Sequence, residues 1–66
     1  MSGREVLKRL KKMGCEVERV VGSHHKVRCG SCVTTVAVHG SSDIPKGTLA
    51  KIVRDLEACL GKDWVK

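Results

Sequence analysis

Apolar residues recur at helical spacing at both ends of the chain, and β-branched residues concentrate in the middle. Near the start, Ser2 and Glu5 form the capping-box pattern that opens a helix, and Gly14 supplies an end signal, so residues 3–13 are predicted to be helical. The apolar stripe of this helix comprises Val6, Leu7, Leu10 and Met13. Its basic stripe comprises Arg4, Lys8, Lys11 and Lys12, a pattern that is usually a solvated face.

The middle of the chain predicts three strands. Residues 15–21 suit a strand, and Gly22-Ser23 breaks it. Residues 24–29 and 33–38 form two more strands joined by Gly30-Ser31, a short connection that fits an antiparallel hairpin.

A second helix completes the fold. Residues 40–43 read as a loop, Pro45 lies near the first helical turn, and Gly61 ends the helix. Its apolar stripe comprises Leu49, Ile52, Val53, Leu56 and Leu60, with Cys59 on the same side. We expect one α+β domain over residues 1–66, with a core at about 3–60 and a C-terminal tail at 61–66. Its order is α-β-β-β-α, with both helices on one face of a three-stranded antiparallel sheet and water on the other.

Strand alternation sorts the histidines between these two faces. If Val27 points toward the helices, His25 does so too and packs in the core, whereas His24, Lys26 and Arg28 face water. On the next strand Val36 and Val38 point inward. The open face then also receives Thr35, Ala37 and His39.

The net charge of +6 indicates an anionic partner such as nucleic acid. Residues 1–30 carry eight basic and three acidic residues, so the positive field is concentrated in the first half. No apolar run approaches the roughly 20 residues that span a bilayer, and the chain opens with no apolar leader, so we expect a cytoplasmic protein.

Imidazoles beside cations suit chemistry on RNA, whose 2'-hydroxyl is positioned to attack the adjacent phosphate. Histidine can transfer protons at neutral pH, and Lys26 or Arg28 would neutralise charge on the phosphorane oxygens. This chemistry requires no metal and no cofactor. The simpler interpretation is that His24 lies in a turn and binds phosphate or nothing.

The four cysteines are expected to be reduced, because no secretory context is evident. Cys15 and Cys59 fall among apolar positions and are interpreted as small core residues. Cys29-Gly30-Ser31-Cys32 has the spacing of half a zinc site or of a redox pair, but a plain hairpin turn with incidental thiols is the preferred interpretation.

Four ordered blocks resemble the HicA family of toxin ribonucleases, also described as YcfA-like proteins. The blocks are Gly3-Arg4-Glu5-Val6-Leu7 with Leu10 and Gly14, Gly22-Ser23-His24, Val36-Ala37-Val38-His39-Gly40, and Ile44-Pro45-Lys46-Gly47-Thr48-Leu49 with Ile52. The resemblance implies a fold like that of double-stranded-RNA-binding domains and metal-independent cleavage of messenger RNA. It also implies growth arrest and neutralisation by a HicB-type antitoxin.

The same resemblance implies that His24 is the catalytic histidine. The residues expected to contact substrate are Gly22, Ser23, Lys26, Arg28, His39, Lys46 and Lys51. The chain departs from the family pattern at Ala37, where proline is common, and at the cysteine-containing hairpin. Two other functions stay open: a module that binds structured RNA without cutting it, and a small zinc or thiol protein. Trp64, the only aromatic residue, lies in the expected tail, which disfavours recognition by base stacking.

Overall fold

The computed structural model describes residues 1–40 and 42–65. Along these residues the order is α1 (Gly3–Lys12), β1 (Glu16–Val21), β2 (His24–Cys29), β3 (Cys32–Ala37), α2 (Lys46–Leu60) and a 3-10 helix (Asp63–Val65). The strands form one antiparallel sheet in the order β1-β2-β3. This confirms the predicted α-β-β-β-α fold; Ser41 of the expected loop and Lys66 of the expected tail lie outside the described residues.

Helix α1 begins where the sequence predicts, because the capping box forms. Ser2 Oγ accepts a hydrogen bond from the Glu5 backbone N–H at 3.2 Å, and the Ser2 backbone N–H donates to Glu5 Oε1 at 3.4 Å. Val6 and Leu10 are fully buried. Met13, predicted on the same stripe, is instead exposed, because it is the C-cap residue and the chain turns away there toward β1.

The sheet has the two faces that alternation predicts. Val27 pairs with Thr34 and His25 pairs with Val36 on the side covered by the helices. Val27 and Val36 are buried there with Ile52 and Leu56 of α2. The register between β1 and β2 shifts at Val17 to Arg19, where a bulge accommodates Glu18. Among residues 1–40 and 42–65 no helix covers the second face of the sheet, so its polar side chains reach water.

The segment after α2 differs from the expected tail. Gly61 caps α2, and the 3-10 helix that follows buries Trp64 against the core. Arg9 Nη1 of α1 donates a hydrogen bond to the Trp64 carbonyl at 3.2 Å. An indole buries a large apolar surface, and the core of so short a chain gains from that contact.

The cysteines also differ from expectation, since all four form disulfides: Cys15 with Cys29, and Cys32 with Cys59. Cys15 and Cys29 are buried, whereas Cys59 is exposed rather than a core residue. The hairpin thiols are therefore not incidental. One disulfide joins β2 to the segment after α1, and the other joins β3 to the last turn of α2.

Candidate active site

His24 is the first residue of β2 and follows the turn Gly22-Ser23. The turn requires glycine because Gly22 has φ of +59°, a left-handed conformation that side chains disfavour. The Ser23 carbonyl accepts a hydrogen bond from the Val38 backbone N–H at 2.8 Å, which ties the turn to the end of β3. The imidazole of His24 is thus exposed on a backbone that is held in place.

His25 supports the same turn from the opposite side of the strand. Its Nδ1 lies 3.2 Å from the Ser23 carbonyl oxygen, a hydrogen bond in the tautomer protonated at Nδ1. The ring faces the helix side as predicted, but it is half-buried rather than fully packed in the core. Sequence reasoning missed this role, because alternation gives the direction of a side chain and not its polar partner.

The open face of β2 carries His24, Lys26 and Arg28, all exposed. Opposite them on β3 lie Ala37, Thr35 and Val33, respectively. This confirms the predicted direction of the three basic side chains. They alternate along one strand, so they form a row and not a pocket.

Arg28 is not a free cation, because Nε donates to Glu18 Oε2 at 2.7 Å. The hydrogen bond from Arg28 lowers the pKa of the Glu18 carboxyl, and Glu18 raises the pKa of Arg28 in return. Both side chains are solvent-accessible, so the pair can open at low energetic cost. A phosphate approaching Arg28 would compete with Glu18 for the guanidinium.

His39 is exposed just beyond β3 and lines a cavity of about 260 Å³. The other lining residues are Ala37, Ser42, Asp43, Ile44, Pro45 and Thr48. Ala37 lies opposite His24 in the sheet, so the cavity adjoins the His24 end of the open face. Two of the three histidines therefore reach solvent at the same end of the molecule.

The two lysines of α2 lie in the other layer. Lys46 is the first residue of α2, and Lys51 donates to Asp55 Oδ2 at 3.1 Å. The same oxygen accepts from Thr34 Oγ1 of β3 at 3.0 Å. The structure thus separates Lys46 and Lys51, in the helix layer, from Lys26 and Arg28 on the open face.

With the cysteines disulfide-bonded, no group of three or more His, Cys, Asp or Glu side chains in residues 1–40 and 42–65 is arranged to hold a metal ion. Across the same residues, no helix is long and apolar enough to cross a membrane.

The model of the family described as the HicA toxin of bacterial toxin–antitoxin systems matches residues 3–58. This stretch runs from the first residue of α1 to within two residues of the end of α2. Neither the search of curated proteins nor the search of solved structures found a match.

Proposed function

The chain belongs to the HicA toxin family, and we propose that it is a metal-independent endoribonuclease with His24 as its catalytic group. The observation that carries the proposal is the exposed imidazole at the Gly22-Ser23 turn, in line with the cations of an uncovered sheet face. Because the imidazole is accessible and its backbone is fixed, it can contact RNA, a large and flexible polyanion, at a site that has no deep pocket.

In the proposed reaction, the 2'-oxygen of one ribose forms a bond to the adjacent phosphorus and the bond from phosphorus to the 5'-oxygen breaks. His24 either removes the 2'-hydroxyl proton or protonates the departing 5'-oxygen, and water completes the other transfer. Lys26 neutralises charge that accumulates on the phosphorane oxygens, and Arg28 does so when it leaves Glu18. The products are a 2',3'-cyclic phosphate and a free 5'-hydroxyl.

The RNA would lie along the open face and bend at the His24 end toward the His39 cavity. Gly22 and Ser23 allow close approach at the turn, since Gly22 has no side chain. His39 contacts the nucleotide beside the cleaved bond. Lys46 and Lys51 contact phosphates farther along the strand, because they lie in the helix layer.

The antitoxin partner is proposed to be a HicB-type protein that covers the same surfaces. Acidic and apolar groups would suit the open sheet face or the exposed basic residues of α1. These basic residues are Arg4, Lys8, Lys11 and Lys12, all exposed. Occlusion of RNA by direct competition would neutralise the toxin, and a messenger RNA target would place its action in the cytoplasm.

The test is to incubate purified protein with messenger RNA in excess chelator and to analyse the ends of the fragments. We expect cleavage with 2',3'-cyclic phosphate and 5'-hydroxyl ends. A requirement for Mg²⁺, or fragments with 5'-phosphate ends, would contradict a His24 mechanism. RNA that is retained by the protein but stays intact would favour the non-catalytic RNA-binding module.

A further inference from the structure

All four cysteines gather at one end of the sheet, at the opposite end of β2 from His24. Cys29 ends β2 and Cys32 begins β3, and the two face each other across the Gly30-Ser31 turn. Residues directly opposite in an antiparallel pair project to the same side, with Cβ atoms about 4.5–5.5 Å apart. This side is the one covered by the helices.

The other two cysteines reach this pair from either side. Cys15 lies just before β1, with its Cα 4.4 Å from that of Cys29. Cys59 lies in the last turn of α2, with its Cα 6.2 Å from that of Cys32. A small cavity of about 120 Å³ is lined by Cys15, Cys29 and Cys59 together. Cys29 and Cys32 therefore lie side by side across the turn, and each is bonded to one of the other two cysteines.

The redox conditions of the cellular compartment determine whether these four cysteines form disulfides or stay reduced. If the chain acts on messenger RNA, as proposed above, it works in the cytoplasm, where glutathione and thioredoxin keep thiols reduced. The two disulfides would then open to four thiols held close together by the sheet and α2. Four adjacent thiols can bind a metal ion instead of remaining free.

We propose that the reduced cluster of Cys15, Cys29, Cys32 and Cys59 binds one structural Zn²⁺ ion through four thiolates. Zinc takes four cysteine ligands tetrahedrally at about 2.3 Å, and a Cys-x-x-Cys turn commonly supplies two of them. Cys29 and Cys32 provide that pair on a two-residue turn, while Cys15 and Cys59 close the tetrahedron. No histidine takes part, so His24 stays available for RNA.

The environment suits a closed site of this kind. Cys15 and Cys29 are buried and Cys32 is half-buried, so solvent would reach the ion mainly past Cys59. A Zn²⁺ ion with four thiolates carries two negative charges, and the last turn of α1 ends in Lys11 and Lys12 shortly before Cys15. Cations near thiolates favour their ionised form.

The disulfide form and the zinc form are connected by a balanced exchange. Two equivalents of a small-molecule disulfide oxidise the four zinc-bound thiolates to the Cys15–Cys29 and Cys32–Cys59 bonds. The four electrons reduce the small disulfides to four thiolates, and Zn²⁺ is released. A thiol reductant with Zn²⁺ reverses the exchange.

The experiment uses the full chain, reduced, incubated with Zn²⁺ and desalted anaerobically. We expect about one zinc ion per chain by elemental analysis, and Co²⁺ substitution should give the visible absorption of a tetrahedral thiolate site. Oxidised glutathione should release the zinc while two disulfides appear by mass spectrometry.

Variants separate a built site from adventitious binding. Cys59→Ser should lose most of the zinc and the tetrahedral Co²⁺ spectrum. Ser31→Ala is the matched control, because Ser31 Oγ lies 3.7 Å from Cys59 Sγ but is not a proposed ligand, and it should bind like the parent. Zinc that remains stoichiometric in Cys59→Ser, or reduced and folded parent protein that retains none, would overturn the proposal.

These readouts do not depend on nuclease activity. Zinc binding without RNA cleavage would contradict the proposed endoribonuclease function and support the zinc site. RNA cleavage by a reduced protein that holds no zinc would support the endoribonuclease function and contradict the zinc site.

Discussion

The two ends of β2 differ in solvent exposure and in covalent cross-linking. At one end His24 is exposed beside a glycine turn, and the basic residues Lys26 and Arg28 follow it along the open face. At the other end Cys29 is 3% exposed and covalently joined to Cys15. The ends are separated by about 17 Å, the rise of five residues along a strand.

This difference shows how a 66-residue chain can hold both a core and a site for chemistry. So small a domain buries about 60% of its unfolded surface, and extra cross-links commonly supplement its core. The covered side of the sheet and the cysteine end supply that stability. The open face is then free to carry polar groups that contribute little to packing, so substitutions there should alter activity and leave the fold intact.

The strongest test of the cysteine end is to remove one cross-link. In the oxidised protein, Cys32→Ala with Cys59→Ala should lower the free energy of unfolding by about 3–4 kcal/mol, as expected for a closed loop of this length. Urea unfolding without reductant measures the change. RNA cleavage below the unfolding transition should persist, and an unchanged urea midpoint would contradict a structural role.

A smaller loss is expected where α1 meets the end of β3. A Cβ at Gly3 would lie 2.5 Å from the Ala37 carbonyl oxygen, so Gly3→Ala must displace backbone and should cost about 1–3 kcal/mol. Gly47→Ala is the matched control, since its Cβ would meet nothing within 4 Å. Thermal unfolding of both variants measures the contrast, and equal stability would mean that the close approach is absent.

The packing of Gly3 against Ala37 also affects the His24 end of β2. Ala37 lies opposite His24, so the backbone under the exposed site depends on the fit of α1 even though the imidazole does not. Gly3 is the first residue that the HicA family model matches, and the structure supplies a physical reason for glycine there.

His25 tests whether the turn that carries His24 needs support. His25→Ala removes the hydrogen bond to the Ser23 carbonyl, and misplacing the imidazole of His24 should lower the maximal cleavage rate about tenfold. His25→Asn retains an N–H donor and should restore part of the rate. A change confined to the apparent affinity for RNA, or no rescue by asparagine, would contradict a positioning role.

The smallest effect is expected for the contact between α2 and β3. The hydrogen bond from Lys51, aided by that from Thr34, lowers the pKa of Asp55. Because the folded pKa is lower than the unfolded one, the contribution to stability is present at neutral pH and is lost as the pH falls below about 4. Asp55→Asn should cost up to about 1 kcal/mol at neutral pH.

Urea unfolding of the parent and Asp55→Asn at pH 7 and pH 3 measures this difference in stability. The gap should narrow at pH 3, where the parent carboxyl has begun to take up its proton. A gap that widens at acidic pH would contradict the direction of the pKa change.

The elements of the fold were predictable because local patterns encode them. The capping box at Ser2 and Glu5 started α1, and the glycine turn and alternation placed His24 and Val27 on opposite faces of β2. Each of these features depends on residues a few positions apart. The pairing of the strands then followed from short connections.

Several of the features that sequence reasoning missed depend on distant parts of the chain. The disulfide partner of Cys32 lies 27 residues away, and spacing alone does not fix cysteine pairing. Trp64 is buried because the chain turns back onto α1 after Gly61, a contact with no local signal. The Glu18 partner of Arg28 depends on a bulge in β1.

The central claim is that His24 performs the chemistry while other parts of the molecule stabilise the fold. The direct measurement is the single-turnover rate of RNA cleavage by His24→Ala, with the thermal unfolding midpoint of the same sample. We predict a rate at least about 100-fold lower than that of the parent, with the midpoint unchanged. Cleavage at the parent rate by a folded His24→Ala protein would contradict the account.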